Sequence, residues 1–394
     1  MKVVIIGSGS AGYAAAETIR KSDGNCEITL FTDDSYPPYY RPRLIEVLAA
    51  KAAIKDILIK KEEWYLQNRI TLNTGRRVES VNTAEKNVKT ADGGLITYDK
   101  LMIATGSNAF IPPVKGIEAG AYTVKNAGDV ALIIECSKKY KKAVVMGGGL
   151  LGIETARALC ERGVSTVVVE HNASLMPRQL DPEAGEFLLS ILSKQGLEFR
   201  LGAEVTGISG EAGEMSVALK QGEIIQTGFV IISAGVRPDV KIALAAGINV
   251  NKGIVVDDRL QTSVPGVYAA GDVCEHKGRL YGIWPAAREQ AIVAAKNMIG
   301  IESVYAGSMF STRLKVSGIN LVSIGNISTA DCRQYGFVDE KAGIYKKIFA
   351  KDGEVQGAVL LGDIKDEAVI RDMLKEGVAV SEERLRELKL EEKT

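Results

Sequence analysis

Two glycine-rich segments carry the residues whose types and spacing point to chemistry. The first is Gly7-Ser8-Gly9-Ser10-Ala11-Gly12 and the second is Gly147-Gly148-Gly149-Leu150-Leu151-Gly152. In the spacing G-x-G-x-x-G, the first glycine permits a tight turn and the second lets backbone approach a pyrophosphate. The third lets a helix pack closely on a strand. Amides at the start of that helix then hold the phosphates. Each segment is followed by a carboxylate placed to accept hydrogen bonds from an adenosine ribose: Asp33 or Asp34 after the first, Glu170 after the second. One such turn is common punctuation. Two in the same context read as two dinucleotide sites.

The elements around these segments repeat. The apolar run Lys2–Ile6 enters the first turn, a helix-period stretch passes through Ala14, Ala15 and Ile19, and a strand covers Glu27–Phe31. The second copy runs from Ala143–Met146 through a helix containing Glu154, Ala156 and Leu159 to the strand Thr166–Glu170. Two more apolar strands break into small-residue turns, one at Ala104-Thr105-Gly106 and one at Ser233-Ala234-Gly235. They read as crossing points between nested domains. A strand ending on Gly271-Asp272 offers an aspartate for a sugar-alcohol hydroxyl and a backbone amide for a phosphate. A helix from about Pro285 to Gly300 closes that domain. The expected fold class is α/β, with two nested Rossmann-like domains plus a small C-terminal α+β domain.

Composition narrows the function classes. Among 394 residues, lysine plus arginine equals aspartate plus glutamate at 49 each, which gives no pointer to nucleic acid or membrane. No apolar run reaches the roughly 18 residues a membrane span needs. The N-terminal residues enter a strand with no signal-like stretch, so a cytoplasmic location is expected. Five scattered cysteines, Cys26, Cys136, Cys160, Cys274 and Cys332, form no C-x-x-C pair and suit a reducing compartment. His171 and His276 form no triad or ligand set and read as surface residues in loops. No metal site is expected.

The double glycine motif, the Ala104-Thr105-Gly106-Ser107 turn and the Tyr268-Ala269-Ala270-Gly271-Asp272 strand resemble the pyridine nucleotide–disulfide oxidoreductase superfamily over about residues 1–300. The pair Tyr39-Tyr40-Arg41-Pro42-Arg43-Leu44 and Leu314-Lys315-Val316-Ser317-Gly318-Ile319 is similar to its NADH:rubredoxin oxidoreductase branch. It is also similar to the flavin portion of NADH-dependent nitrite reductases. The resemblance implies an FAD-binding domain at 1–110 and 236–304, an NADH-binding domain at 111–235 and the C-terminal domain at 305–394. It implies FAD on Gly7, Gly9, Ser10, Ala11, Gly12, Asp33, Asp34, Arg41, Val78, Ala104, Thr105, Gly106, Gly271, Asp272 and Lys315. It implies NADH on Gly147, Gly149, Leu150, Leu151, Gly152, Glu170 and Gly235. Glu154 is placed by it where nicotinamide meets flavin, with a structural helix acid as the other reading. Trp284 falls in the family's flavin-facing segment, with a core tryptophan equally open.

Two departures from relatives bear on chemistry. Where the ferredoxin-reductase branch has a lysine five residues after the arginine matching Arg41, this chain has Glu46. Where the peroxidase and coenzyme-A-disulfide branch has a cysteine near the flavin, Tyr39 to Tyr65 contains none. Disulfide and sulfenate chemistry by that route therefore has no nucleophile. Flavin reduced by NADH hands electrons outward, and a small carrier such as rubredoxin is the leading acceptor. The alternatives are a nitrite reductase or other iron–sulfur partner, oxygen, or a redox sensor that binds FAD and NADH without turnover. Glu170 favours NADH, because a carboxylate accepts a free 2′-hydroxyl and repels a 2′-phosphate.

The stretch containing Arg41, Arg43, Lys51, Lys55, Lys60 and Lys61 is either a docking face for an acidic carrier or a solvated charged helix. Beyond residue 305, strands are expected at 321–324, 343–349 and 357–362, then a helix from about 366 to 375. That module covers the flavin, binds a carrier or mediates a homodimer. The tail 382–394 is expected as a solvated helix or frayed end.

Overall fold

The computed structural model describes residues 1–308, 311–316, 318–327, 331–377 and 380–393, with side chains described except at 119, 311–316 and 393. The chain forms two compact units. One comprises Met1–Ala109, Lys125–Ala131 and Val236–Ser308; the other comprises Phe110–Val124, Leu132–Gly235 and Met309–Thr394.

The first unit is built on a five-stranded parallel sheet in the order Val267–Ala269, Lys100–Ile103, Lys2–Ile6, Glu27–Phe31, Ile70–Asn73. Its central strands are continuous apolar runs because a parallel sheet is buried on both faces; Val3 to Ile6 and Leu101 to Ile103 are all buried. The helices Ser10–Ser22 and Trp284–Met298 pack on each other. Their inner faces are mostly alanine (Ala14, Ala15, Ala16; Ala286, Ala287, Ala291, Ala294, Ala295), which lets the two backbones approach closely. A small antiparallel sheet of Val78–Asn82, Asn87–Thr90 and Leu95–Thr97 completes the unit with the pair Ser107–Ala109 and Val236–Pro238. Val78 is buried in this unit's core.

In the second unit the parallel sheet runs Glu198–Leu201, Ser165–Glu170, Lys142–Met146, Phe229–Ile232, Ala121–Thr123. The helix Leu150–Glu161 packs on its strands. A six-stranded antiparallel sheet lies in the same unit, in the order Ser311–Val316, Ile319–Gly325, Glu354–Leu361, Ile344–Lys351, Arg333–Asp339, Glu391–Lys393. The helix Glu367–Glu376 covers one face through Ile370 and Met373, against Val322, Ile324, Ile348 and Leu360. On the other face Lys347 Nζ meets Asp181 Oδ2 at 2.9 Å and Glu183 Oε2 at 2.7 Å, and the Tyr345 hydroxyl donates to Asp181 at 2.8 Å. Asp181 is the N-cap residue of the helix Pro182–Lys194.

Three expectations are corrected here. The helix expected in the C-terminal tail is present at Glu382–Leu388 and is largely exposed, but the tail is docked rather than frayed: Leu388 and Leu390 are buried, and Glu391–Lys393 pairs with the strand Arg333–Asp339. Burying two leucines favours docking, and the charged residues around them stay exposed to water. His276 lies buried in the short strand Cys274–His276 with Nε2 2.7 Å from Asp258 Oδ1, whereas His171 is exposed. The charged stretch 41–61 is not one solvated helix: it is broken into two short 3-10 segments, Arg41–Arg43 and Ile54–Asp56, and a five-residue α-helix, Leu44–Leu48, that buries Leu44, Val47 and Leu48.

Candidate functional site

Both glycine turns divide their labour in the same way. Gly7 has φ +101°, and a Cβ there would lie 2.1 Å from the Ala104 carbonyl oxygen. A Cβ at Gly12 would lie 1.8 Å from the Gly7 carbonyl oxygen, while one at Gly9 would meet nothing within 4 Å. In the second turn Gly147 has φ +117° with Ser233 O at 2.3 Å, Gly152 has Gly147 O at 1.9 Å, and Gly149 again faces open space. The outer glycines are therefore steric requirements, whereas the middle one leaves a cradle.

Each cradle lies at a helix start with no side-chain cap and no acid in the first turn. Uncapped amides and the positive helix end favour an anion there. A dinucleotide pyrophosphate fits that donor set. Ser10 and Ala11 stand in the first turn of one helix, Leu150 and Leu151 in that of the other, with Leu151 exposed.

The carboxylates differ between the turns. Gly7 N bonds Phe31 O at 2.9 Å, and Gly147 N bonds Val169 O at 2.8 Å, so Thr32 takes the position that Glu170 holds in the second unit. Glu170 is buried, and its Oε2 accepts from Gly148 N at 2.6 Å. Its Oε1 accepts from Asn172 N at 2.7 Å and Asn172 Nδ2 at 2.6 Å. In the first unit Asp33 is exposed. Asp34 accepts from the Tyr39 hydroxyl and from Tyr36 N, and Tyr39 Oη in turn accepts from Ala127 N at 3.0 Å. Burial, then the Asp34 carboxylate, pushes the Tyr39 hydroxyl up, so it stays protonated and donating.

A cationic group missed by sequence reasoning stands beside these residues. Lys125 is half-buried and donates to Asn108 Oδ1. Burial lowers its pKa first, with Arg41 adding to that, while Asp239, Asp33 and Asp129 oppose it. Arg41, Lys125 and Asp33 thus share one electrostatic neighbourhood within the first unit. Only the chain's crossing of Lys125–Ala131 into that unit brings Lys125 there, and no local motif announces it.

At the other strand end, Gly271 has φ +89°, and its amide donates to Gln290 Oε1 at 2.9 Å. Gly271 therefore contributes conformation, its own amide being taken by a buried glutamine the sequence reading overlooked. Asp272 Oδ2 accepts from Ser107 Oγ at 3.0 Å. The Ala104 turn is closed by Thr105 Oγ1 donating to Asp239 O at 2.8 Å and by Asp239 N donating to Gly106 O at 2.9 Å.

Trp284 opens the helix Trp284–Met298, half-buried, and stacks on exposed Tyr40 at 5.4 Å between ring centroids. It is therefore neither deep core nor bare surface. Glu154 is half-buried on the helix Leu150–Glu161, and Gly235 is exposed with φ +97°. The Lys315 side chain lies outside the described residues.

Arg43 pairs with Glu46 at 2.7 Å, so this arginine of the basic stretch is largely compensated. The five cysteines are all free thiols. Among the described residues no group of histidine, cysteine and carboxylate side chains could hold a metal, and no helix is long and apolar enough to cross a membrane.

Residues 1–291 match the model of the pyridine nucleotide-disulphide oxidoreductase family, and residues 311–378 match the rubredoxin NAD+ reductase C-terminal domain. The chain is 38% identical over 97% of its length to a nitrite reductase [NAD(P)H] of Bacillus subtilis, of which it covers 48%. It spans about half the length of that relative and others like it. It is 33% identical to the NADH-rubredoxin oxidoreductase of Clostridium acetobutylicum over 92% of this chain and 91% of that one. The crystal structure of the C. acetobutylicum NADH:rubredoxin oxidoreductase superposes with a TM-score of 0.81 at 30% identity, covering 96% of each chain.

Proposed function

The chain belongs to the pyridine nucleotide-disulphide oxidoreductase family, and from that premise we propose that it carries electrons from NADH through FAD to a small one-electron protein carrier, rubredoxin in the first instance. Membership brings FAD as the bound cofactor and NADH as the reductant. The observation that carries the proposal is the duplicated open cradle: two uncapped helix starts, each beside a glycine that faces empty space.

Under this reading the first unit holds FAD and the second holds NADH. The amides after Gly9 take the FAD pyrophosphate, with Arg41 and Lys125 as the cations beside it and Asp33 toward the adenosine ribose. Asp272, aligned by Ser107, takes a hydroxyl of the sugar-alcohol chain. In the second unit the amides after Gly149 take the NADH pyrophosphate and Glu170 reads the ribose. When bound, FAD accepts a hydride and releases electrons one at a time. The protein's own work is to bind and orient. Trp284 and Tyr40 form an aromatic face beside the FAD-holding turn, where electrons would leave.

No cysteine lies between Tyr39 and Tyr65, so electrons are passed outward rather than to a protein disulfide. A second reading rests on the nitrite reductase relatives, about half of whose length the chain matches: the flavin passes its electrons to an iron–sulfur partner. One experiment separates them. The NADH-reduced protein is mixed anaerobically with rubredoxin, with an iron–sulfur partner, or with oxygen, and return of the flavin band is timed. The leading reading expects rubredoxin to be fastest. Faster return with the iron–sulfur partner favours the second reading, and faster return with oxygen contradicts both.

A further inference from the structure

We infer that Asn172 is a specificity-determining residue of the second dinucleotide turn, because its side-chain amide occupies a position on Glu170 that a ribose hydroxyl would take. The inference rests on the reading of Glu170 as the ribose acceptor. An ionised carboxylate offers about four acceptor positions, two on each oxygen. Gly148 N fills one on Oε2, and the backbone and side-chain amides of Asn172 fill both on Oε1. One position remains, on Oε2.

The three donors are not equivalent. Gly148 is held in the glycine turn, where a Cβ would lie 3.0 Å from Glu170 Cβ and Leu175 Cδ2. The backbone at Glu170 and Asn172 is pinned by Ala203 N donating to Glu170 O at 3.0 Å and Gly202 N donating to Asn172 O at 2.8 Å. The Asn172 side chain has no such restraint. Asn172 is exposed, and its amide can exchange Glu170 for water.

A ribose presents two hydroxyl donors where one acceptor position is open. The first hydroxyl takes Oε2. The second reaches Oε1 only by displacing the Asn172 amide, and hydrogen bonds to an ionised acceptor are stronger than neutral ones. The displacement lowers affinity for every ligand that brings both hydroxyls. The two backbone donors suffice to hold Glu170 in place, so removing the side-chain amide frees the position without releasing the carboxylate.

The FAD-loaded, full-length protein is titrated calorimetrically with ADP-ribose and with its 2′-deoxy and 3′-deoxy adenosine forms. These probes carry the ribose and pyrophosphate but no hydride. Wild type is compared with Asn172→Ala, Glu170→Gln and the double variant. Asn172→Ala is expected to bind ADP-ribose about fivefold tighter, the size of one modest hydrogen bond, with the gain lost for one of the deoxy forms. Unchanged flavin content and melting temperature will show that the turn is intact. Equal or weaker binding by Asn172→Ala overturns the inference while leaving Glu170's role standing, provided Glu170→Gln weakens binding. If Glu170→Gln changes nothing in either background, the underlying reading of Glu170 falls, and this inference with it.

Discussion

The two glycine turns are the same object by backbone and different objects by side chain. Gly7, Gly9 and Gly12 repeat the steric roles of Gly147, Gly149 and Gly152, with clashing distances that agree to within a few tenths of an ångström. The chain then diverges at the residue after Phe31 and Val169, the two that bond the turn. The second unit places Glu170 there, buried and bonded back onto the turn, so that a Cβ at Gly148 would crowd the Glu170 Cβ at 3.0 Å. The first unit places Thr32 there and Ser8 opposite Gly148, and sets its carboxylates one and two residues later. The loops beyond are anchored differently as well. Tyr39 ties Asp34 to Ala127 N, whereas the loop after Glu170 ends on Asp181 beneath Lys347 and Tyr345. The shared cradle is the observation on which the proposed pairing of each turn with a pyrophosphate rests. Under that proposal, the divergence assigns each turn its own residues for the rest of its dinucleotide.

The strongest way to break that pairing is to fill the third glycine of each turn separately. Gly12→Ala drives a Cβ into the Gly7 carbonyl, and Gly152→Ala does the same at Gly147. Neither backbone oxygen can yield, so each turn must open, at a cost above the usual 1–3 kcal/mol of overpacking, roughly. Gly12→Ala should purify with little or no flavin. Gly152→Ala should keep its flavin and lose at least about 100-fold in the rate of bleaching by NADH. Loss of flavin from both would mean that the two turns do not serve separate ligands.

The next largest effect concerns the anchor found in the second unit alone. Lys347→Ala leaves Asp181 buried without its cation and should cost about 3–5 kcal/mol in urea unfolding. Burial acts to lower the Lys347 pKa, but its bonds to Glu183 and Asp181 outweigh that and leave it raised. A raised lysine contributes stability that is fully present below its unfolded value, about 10.4, and is lost as pH rises through the folded value. Wild-type stability should therefore fall above about pH 10.4 through this pair, and Lys347→Met should lack that component of the fall.

Glu170→Ala tests the divergent residue itself. It removes the ribose acceptor and leaves the Gly148 amide without a partner, so the NADH KM should rise about 10- to 100-fold with flavin content unchanged. A KM within twofold of wild type would remove Glu170 from the binding account. The smallest effect belongs to the first unit's anchor. Tyr39→Phe deprives Ala127 N of its acceptor and should lower stability by about 1–3 kcal/mol and weaken flavin retention only modestly. Complete flavin loss would show that Tyr39 acts on the ligand directly.

Much of this was legible in the sequence, for identifiable reasons. The parallel strands are continuous apolar runs, the glycines stand at the spacing their steric roles demand, and strands near 321, 344 and 357 with a helix near 367 emerged where the short apolar segments placed them. What stayed hidden depends on residues far apart in the chain. Lys125 reaches Arg41 and Asp33 only through a chain crossing, and Gln290 meets Gly271 only across the packing of a helix on a strand end. His276 and the leucines of the tail looked solvent-facing because their neighbours are charged, yet each is buried against a distant strand or loop. The Asp34–Tyr39 bond is local, but a five-residue loop carries no periodicity from which to read it.

Anaerobic titration of the purified protein with NADH tests the central claim most directly, that one turn holds FAD and the other delivers a hydride to it. The account predicts a protein yellow as isolated, whose flavin band bleaches fully at one NADH per flavin. A protein that neither carries flavin nor takes it up on reconstitution, or whose bound flavin stays oxidised with excess NADH, would contradict it.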